Sequence, residues 1–322
     1  MPNDPGLAAD TCIFMEALPG DGGAHNSTDT WWLSPDISLS GPSGPNISVA
    51  VKLHRKAAGS GCTTPFAESV TAELWVAGPS LAMAPNNRAS AREIQSIGTP
   101  FPAEGATATQ VMVVNQSLGF NRADPHSPGD LCMVARCYPD PLTPSAQNFF
   151  APGDPHVAQH NLCVVASGGG IVVSPPVPPG TQSSQVATVN PDPVNSQEVT
   201  LRAVVDLKPN SFVQKVVSAR LQGAHGSNRL TTAPPRSFKF VLPDFPNAEV
   251  TDRSRPGLLS AILARQQSYE AKIKLGAGQF TEFTFTATLS GAQTGDAYIF
   301  HLRQIGADNR DQGGLTLLMV AA

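Results

Sequence analysis

Apolar and polar residues alternate with a period of two through most of the chain. The clearest case is Ile47, Val49, Val51 and Leu53, which alternate with polar or small residues. Successive side chains of a strand point to opposite faces, so this pattern predicts a half-buried strand. Similar segments recur in both halves, at 31–39, 70–76, 111–114, 131–138, 157–166, 199–206, 212–221, 238–242, 269–275, 280–289, 297–302 and 315–320. Short strands at this spacing are typical of antiparallel β-sandwiches.

One segment has helical rather than strand periodicity. Pro256 stands where a first helical turn tolerates proline, and four aliphatic residues follow at helical spacing, at 258, 259, 262 and 263. We expect a short helix that ends near Gln267 and covers one end of the second sandwich.

Composition divides the chain into four regions. Residues 168–195 are rich in proline and glycine, which predicts a semi-extended linker. Residues 1–28 are rich in Gly, Asp, Asn and Ser and are predicted to form an N-terminal extension. The chain is therefore expected to be all-β, with two immunoglobulin-like antiparallel β-sandwiches in tandem at 29–167 and 196–322. The short helix belongs to the second sandwich.

Several of these strands resemble bacterial immunoglobulin-like modules of the CARDB type, the cell-adhesion-related domains. The resemblance covers residues 30–167 and lies in Trp32–Ile37, Val70–Val76, Leu131–Asp140 and Asp154–Asn161. Ala297–Gln304 and Gly313–Leu318 are similar to the final hairpin of related sandwich domains.

The resemblance implies a binding or spacer role, bacterial origin and an extracellular or assembly-associated location. Residues 1–15 lack the basic and apolar regions of a standard export signal, so the route of export stays open. No run reaches the roughly 18 apolar residues of a membrane span.

The charge of the chain is low and unevenly distributed. Charged residues make up 14% of the sequence, and the net charge is −4, which argues against a nucleic-acid partner. Residues 1–170 contain 7 Lys/Arg and 14 Asp/Glu, a net −7, while residues 171–322 contain 14 and 11, a net +3. This difference permits weak head-to-tail attraction between copies.

Three aromatic residues are candidates for binding contacts. Trp31 and Trp32 are adjacent, and neighbours on a strand point to opposite faces, so Trp31 is expected outside the core if Trp32 lies inside. Trp31 and the pair Phe149 and Phe150 are therefore our candidate contact residues. If exposed beside polar loops, they would serve the alternative role of a carbohydrate- or cell-surface-binding module.

The sequence contains no motif typical of an enzyme. His156 and His160 have the spacing of a zinc-binding helix, but Val157 stands where the general-base Glu belongs. They are weak metal candidates and the basis of a second alternative, a metal-dependent hydrolase. No nucleophile elbow or phosphate-binding loop is present, so we expect no catalytic residues and no cofactor.

The predicted function is a non-enzymatic structural or adhesive protein that contacts a protein partner or other copies of itself. Exposed strand edges and the segment 1–28 are expected to make these contacts, and repeated contacts would build a fibre or sheath. The five cysteines form no metal or disulfide pattern, and whether Cys12 pairs with Cys62 is left open.

Overall fold

A computed structural model describes most of the chain. The described residues are 4–25, 30–43, 46–57, 59–62, 69–84, 92–100, 105–115, 132–140, 142–145, 149, 151–165, 180–225, 229–242, 249–252, 268–289 and 292–321.

Regular structure in these residues consists of strands and one helix, which confirms the predicted all-β class. The helix is α1, Ser211–His225. The strands are β1 (Ile13–Phe14), β2 (Ile37–Ser43), β3 (Asn46–Arg55), β4 (Ser69–Ala77), β5 (Arg92–Pro100), β6 (Thr107–Asn115), β7 (Cys132–Pro139), β8 (Val157–Val165), β9 (Thr181–Val189), β10 (Gln197–Asp206), β11 (Arg229–Leu230), β12 (Ser237–Val241), β13 (Glu249–Asp252), β14 (Ser268–Leu275), β15 (Phe280–Thr288), β16 (Asp296–Ile305) and β17 (Asp311–Val320).

The strands form three sheets. In the first, β3 is central, with β1 and β2 along one side and β6 along the other. The second has the order β13-β14-β10-β16-β17-β8-β7-β4-β5, with β11 beside β16. The third has the order β12-β15-β9. Every pairing is antiparallel except β8 with β17 and β11 with β16.

Two apolar cores lie between these sheets. The first lies between the β3 sheet and strands β4, β7 and β8, and it contains the four alternating residues of β3 predicted from the sequence. The second lies between the β12-β15-β9 sheet and the strands around β16. Its centre is a group of aromatic rings. Phe300 packs edge to face against Phe238 and Phe285, at centroid distances of 5.4 and 5.2 Å.

The two halves of the chain share the second sheet. β8 of the first half pairs in parallel with β17 of the second, with Leu162 beside Thr316. The range 168–195, predicted as a linker, contains β9, which pairs with β15 along its whole length. The prolines of this range cluster before residue 180 and after 190, and the segment between them is free to form a strand. The remaining domain limits stay a prediction.

The helix α1 lies where the sequence analysis predicted a strand. The segment 212–221 was predicted as a strand, but it lies within α1. Val213, Val217 and Leu221 are buried at a spacing of four, which is a helical stripe, and Asn210 caps the start by accepting a hydrogen bond from the Val213 N–H at 2.9 Å. The helix predicted at 256–267 lies outside the described residues.

The N-terminal extension is part of the first sandwich. β1 pairs with β3 of its own chain, and the His25 ring makes hydrogen bonds of 2.7 and 2.6 Å with the backbone oxygens of Met15 and Ala151. A disulfide joins Cys12 to Cys62, which decides the pairing left open above. The expectation that this segment adds a strand to a neighbouring copy is therefore wrong for β1, because its pairing is intramolecular.

Candidate functional site

The predicted contact residue Trp31 is buried. Only 1% of it is exposed, and its Nε1 donates a hydrogen bond of 3.0 Å to Oδ2 of Asp311. Trp32 is also buried and donates a 3.0 Å hydrogen bond to Oγ1 of Thr316. The prediction that Trp31 lies outside the core is therefore wrong. Residues 30–33 form a turn, closed by a hydrogen bond from the Leu33 N–H to the Thr30 oxygen, so the alternation of strand side chains does not apply to Trp31 and Trp32.

The second aromatic candidate is also inside the protein. Phe149 is buried edge to face against Trp75, at a ring-centroid distance of 4.7 Å. The guanidinium of Arg136 lies over both rings. Phe150 lies outside the described residues. Neither Trp31 nor Phe149 therefore offers the exposed stacking surface that the carbohydrate alternative requires.

His156 and His160 belong to different hydrogen-bonded groups. His156 lies between two buried carboxylates, with Nδ1 2.8 Å from Asp154 and Nε2 3.2 Å from Asp10. Burial alone would lower the pKa of His156, but these two carboxylates outweigh it and raise the pKa to about 9. His160 instead contacts the backbone oxygen of Ser34 at 3.2 Å, and burial lowers its pKa. The structure does not bring the two rings together around one site.

Buried polar side chains join the two halves where β8 meets β17. Nδ2 of Asn161 donates hydrogen bonds to the backbone oxygens of Ser80, at 3.2 Å, and Gly314, at 2.8 Å. Nε2 of Gln159 donates to the backbone oxygen of Leu81 at 3.2 Å. We call this junction of β8 and β17 the seam. Its polar side chains are buried and bonded within the chain, so it offers no surface to other molecules.

Strand edges are the remaining candidates, and most of them carry features that oppose the addition of a further strand. β2 contains Pro42 and an irregular register, and β5 ends at Pro100 and pairs with β4 through a bulge. β13 spans four residues. β9 is partly covered, since Ser80 forms a bridge with Ala187.

β6 lacks such protective features. It is nine residues long, contains no proline or charged residue, and pairs with β3 in an unbroken register. Among the described strands, β3 alone pairs with it; β5 comes close to β6 without pairing. Val111 and Val113 point outward and are 58% and 52% exposed, whereas Met112 and Val114 are buried in the core. We define the β6 edge as residues 107–115.

A second open edge lies on the other half of the chain. β12 is an outer strand of the third sheet, and β15 is its one pairing partner among the described strands. Phe238 and Phe240 point into the core, while Lys239 and Val241 are exposed, the latter by 39%. We define the β12 edge as residues 237–241.

Sequence reasoning found these strands but not their importance. The run at 111–114 and the segment 238–242 were predicted as strands from their apolar residues. Whether such a strand is central or at an edge depends on long-range pairing, which local alternation does not encode.

No protein-family model matches this chain. No curated protein matches it either. Among solved structures, it is similar to red sea bream transglutaminase, with 11% identity and a TM-score of 0.20 over 89% of this chain and 31% of that one. It is also similar to the collagen adhesin from S. aureus, with 8% identity and a TM-score of 0.22 over 92% and 93% of the two chains. The chain spans about a third of the transglutaminase length.

Proposed function

We propose that this chain is a non-enzymatic structural protein whose copies associate head to tail through the β6 edge of one copy and the β12 edge of the next. The observation that carries the proposal is the exposure of Val111 and Val113 on a long, uncharged strand that pairs with β3 alone among the described strands. Natural edge strands usually carry charges, prolines or bulges that prevent pairing, and β6 has none.

The chemistry of the contact is strand addition. An incoming strand would add backbone hydrogen bonds along β6 and cover its two exposed valines. β12 is a suitable partner because it is also an outer strand and also exposes a valine, Val241. Its five residues match the central part of β6 in length.

Charge favours the pairing of β6 with β12 over the pairing of β6 with β6 of another copy. The β6 edge lies in the half with a net charge of −7, and the β12 edge lies in the half with a net charge of +3. Exposed Arg236 and Lys239 lie beside and on β12. Two β6 edges would bring two acidic halves together, whereas β6 with β12 brings opposite charges together.

The two edges are different surfaces, so the contact is heterologous. A heterologous contact that does not close into a ring extends into a fibre, which agrees with the predicted fibre or sheath. The Cys12–Cys62 disulfide supports an oxidising, extracellular compartment for such an assembly.

Sedimentation velocity over a concentration series at low salt tests the proposal. Wild-type protein is expected to form larger species as concentration rises, and Val111→Lys and Val241→Glu are each expected to remain monomeric. Val194→Lys is the matched control, because Val194 is 77% exposed on a turn away from both edges and its replacement is expected to leave assembly unchanged.

A mixture of the two variants tests the direction of the contact. The Val241→Glu chain keeps an intact β6 edge, and the Val111→Lys chain keeps an intact β12 edge. Mixed in equal amounts, they are expected to form dimers and nothing larger. Monomeric wild-type protein at high concentration would refute self-association, and assembly of either variant alone to the wild-type extent would refute this pair of edges.

A further inference from the structure

Three potential metal ligands from separate segments converge on one side of the first sandwich. Glu16 follows β1, Asp36 precedes β2 and His54 lies on β3. One ligand atom from each lies within 4.8 Å of the other two. Nε2 of His54 is 2.9 Å from Oδ2 of Asp36, a separation compatible with two ligands of one cation.

One oxygen of the Asp36 carboxylate has no hydrogen-bond donor among the described residues. Its side chain is completely buried, and Oδ2 accepts hydrogen bonds from the Glu16 N–H, at 2.5 Å, and from the His54 ring. Oδ1 accepts no hydrogen bond from any described residue. The ammonium of Lys52 lies 3.7 Å from Oδ1, close enough for an ion pair but beyond hydrogen-bond range. A buried carboxylate oxygen without a donor is costly unless a cation satisfies it.

The residue types indicate which cation fits. We infer that Glu16, Asp36 and His54 bind a zinc-class divalent ion, because two carboxylates and one imidazole suit Zn²⁺, whereas Ca²⁺ and Mg²⁺ prefer oxygen ligands alone. The ion would take the place of the hydrogen bond between His54 and Asp36. Phe14 stacks on the His54 ring at a centroid distance of 5.0 Å and fixes its orientation.

The surroundings allow an ion to enter. Glu16 is half-buried, so the site opens to solvent on its side, and a water molecule can complete a tetrahedral set. The Lys52 side chain is 43% exposed and can turn outward when an ion takes its place beside Asp36. The site thus has three candidate protein ligands, one of which is partly exposed to solvent.

The ion would hold the N-terminal segment on the sandwich. Glu16 belongs to that segment, while Asp36 and His54 belong to strands or strand ends of the first sheet. The Cys12–Cys62 disulfide ties the same segment covalently. The inferred role is therefore a structural cross-link that raises stability on binding.

Calorimetric titration of untagged, chelator-treated protein with ZnCl₂ tests the inference, and Co²⁺ absorption reports the coordination geometry. One Zn²⁺ per chain, a higher melting temperature and a tetrahedral Co²⁺ spectrum are expected. Glu16→Gln and His54→Gln are each expected to weaken Zn²⁺ binding by roughly 10-fold or more, which is the loss of metal affinity that substitutions at metal sites typically cause. His301→Gln is the control, since His301 contacts Thr316 and Asp206 in the other half.

Two results would overturn the inference. One is the absence of Zn²⁺ binding to wild-type protein by calorimetry. The other is wild-type affinity in Glu16→Gln, a variant expected to fold because Glu16 is only half-buried. Equal losses in His301→Gln and His54→Gln would assign the binding to histidines in general and would count against this site.

Discussion

A Cβ atom placed on Gly314 would lie 2.1 Å from Cε3 of Trp32, so the backbone of β17 passes directly against the indole. Trp32 comes from the start of the first sandwich and Gly314 from the last strand of the chain. A Cβ atom placed on the neighbouring Gly313 would lie equally close to the backbone oxygen of Leu81. Glycine at these two positions allows the two halves to pack without a gap.

Replacement of Gly314 by alanine is expected to destabilise the protein. The added methyl group overlaps a buried ring that cannot move without disturbing the Trp32–Thr316 hydrogen bond. Overpacking of this kind costs about 1–3 kcal/mol or more. Urea denaturation measures the effect. Gly276→Ala is the control, because the nearest atom there is the side chain of Gln279 at 3.3 Å, and its cost should be clearly smaller. Equal stability of the two variants would contradict this account of the seam.

Most strands of both halves, though not β5 or β9, could be predicted from the sequence, because alternation is a local property. Val49 and Val51, for example, are buried as their pattern indicates. The seam could not be predicted in this way. Trp31 and Asp311 are 280 residues apart, and nothing local shows that β8 and β17 become neighbours.

Two other features were missed for related reasons. The apolar residues of α1 include valines and a phenylalanine, which favour strands. Their spacing of four nevertheless places them on one face of a helix, and Asn210 caps the start of that helix. Glu16, Asp36 and His54 have no characteristic spacing, since they come from three separate segments. Only the pairing of β1 and β2 with the same central strand, β3, brings them together.

The buried ion pair of Arg136 and Glu73 is expected to be important for stability. Nε and Nη2 of Arg136 lie 2.8 and 2.7 Å from Oε2 of Glu73, and both residues are buried. Arg136→Ala leaves the Glu73 charge buried, with Tyr138 as its one remaining side-chain donor among the described residues, a loss of about 3–5 kcal/mol. Chemical denaturation of the variant measures this loss.

A surface ion pair provides the comparison for Arg136. Lys272 and Glu198 are 3.7 Å apart and both half exposed or more, so Lys272→Ala should cost no more than about 1 kcal/mol. In the double variant Arg136→Ala, Glu73→Gln, part of the lost stability should return, since the unpaired charge is gone. A small effect of Arg136→Ala alone would show that the pair contributes little.

Thiol counting tests the pairing of the five cysteines. The Cys12–Cys62 disulfide leaves Cys132, Cys137 and Cys163 as buried thiols outside any disulfide of the described residues. Protein purified without reductant should show almost no reaction with a thiol reagent when native. It should show three thiols when denatured, and five when denatured after reduction. Five thiols without reductant would contradict the disulfide.

Loss of the same disulfide should reduce stability. The bond closes a loop with a sequence separation of 50 residues, and loop-closure entropy assigns such a cross-link about 4 kcal/mol. The variant Cys12→Ser, Cys62→Ser is therefore expected to unfold at a lower denaturant concentration than wild type. Cys163→Ser, which removes a thiol that is not part of the disulfide, controls for the loss of a buried sulfur atom.

The position of His156 between Asp10 and Asp154 predicts a decrease in stability at alkaline pH. The pKa of His156 is about 9 in the folded protein, compared with an ordinary value of 6.5. Between these two values the folded chain holds a proton that the unfolded chain has released, so the free energy of unfolding falls as pH rises. The stabilisation is complete below pH 6.5 and is lost as pH passes through about 9.

The size of this decrease and its origin can both be measured. At about 1.4 kcal/mol per pH unit, the free energy of unfolding should fall by roughly 3 kcal/mol across this range. Urea denaturation at a series of pH values from 6 to 9 measures the slope. His156→Gln should be less stable at pH 6, because the two carboxylates lose their cation, and its stability should vary much less with pH. The same slope in wild type and His156→Gln would place the titrating group elsewhere, and a flat wild-type profile would show that His156 is not held as a cation by its two neighbours.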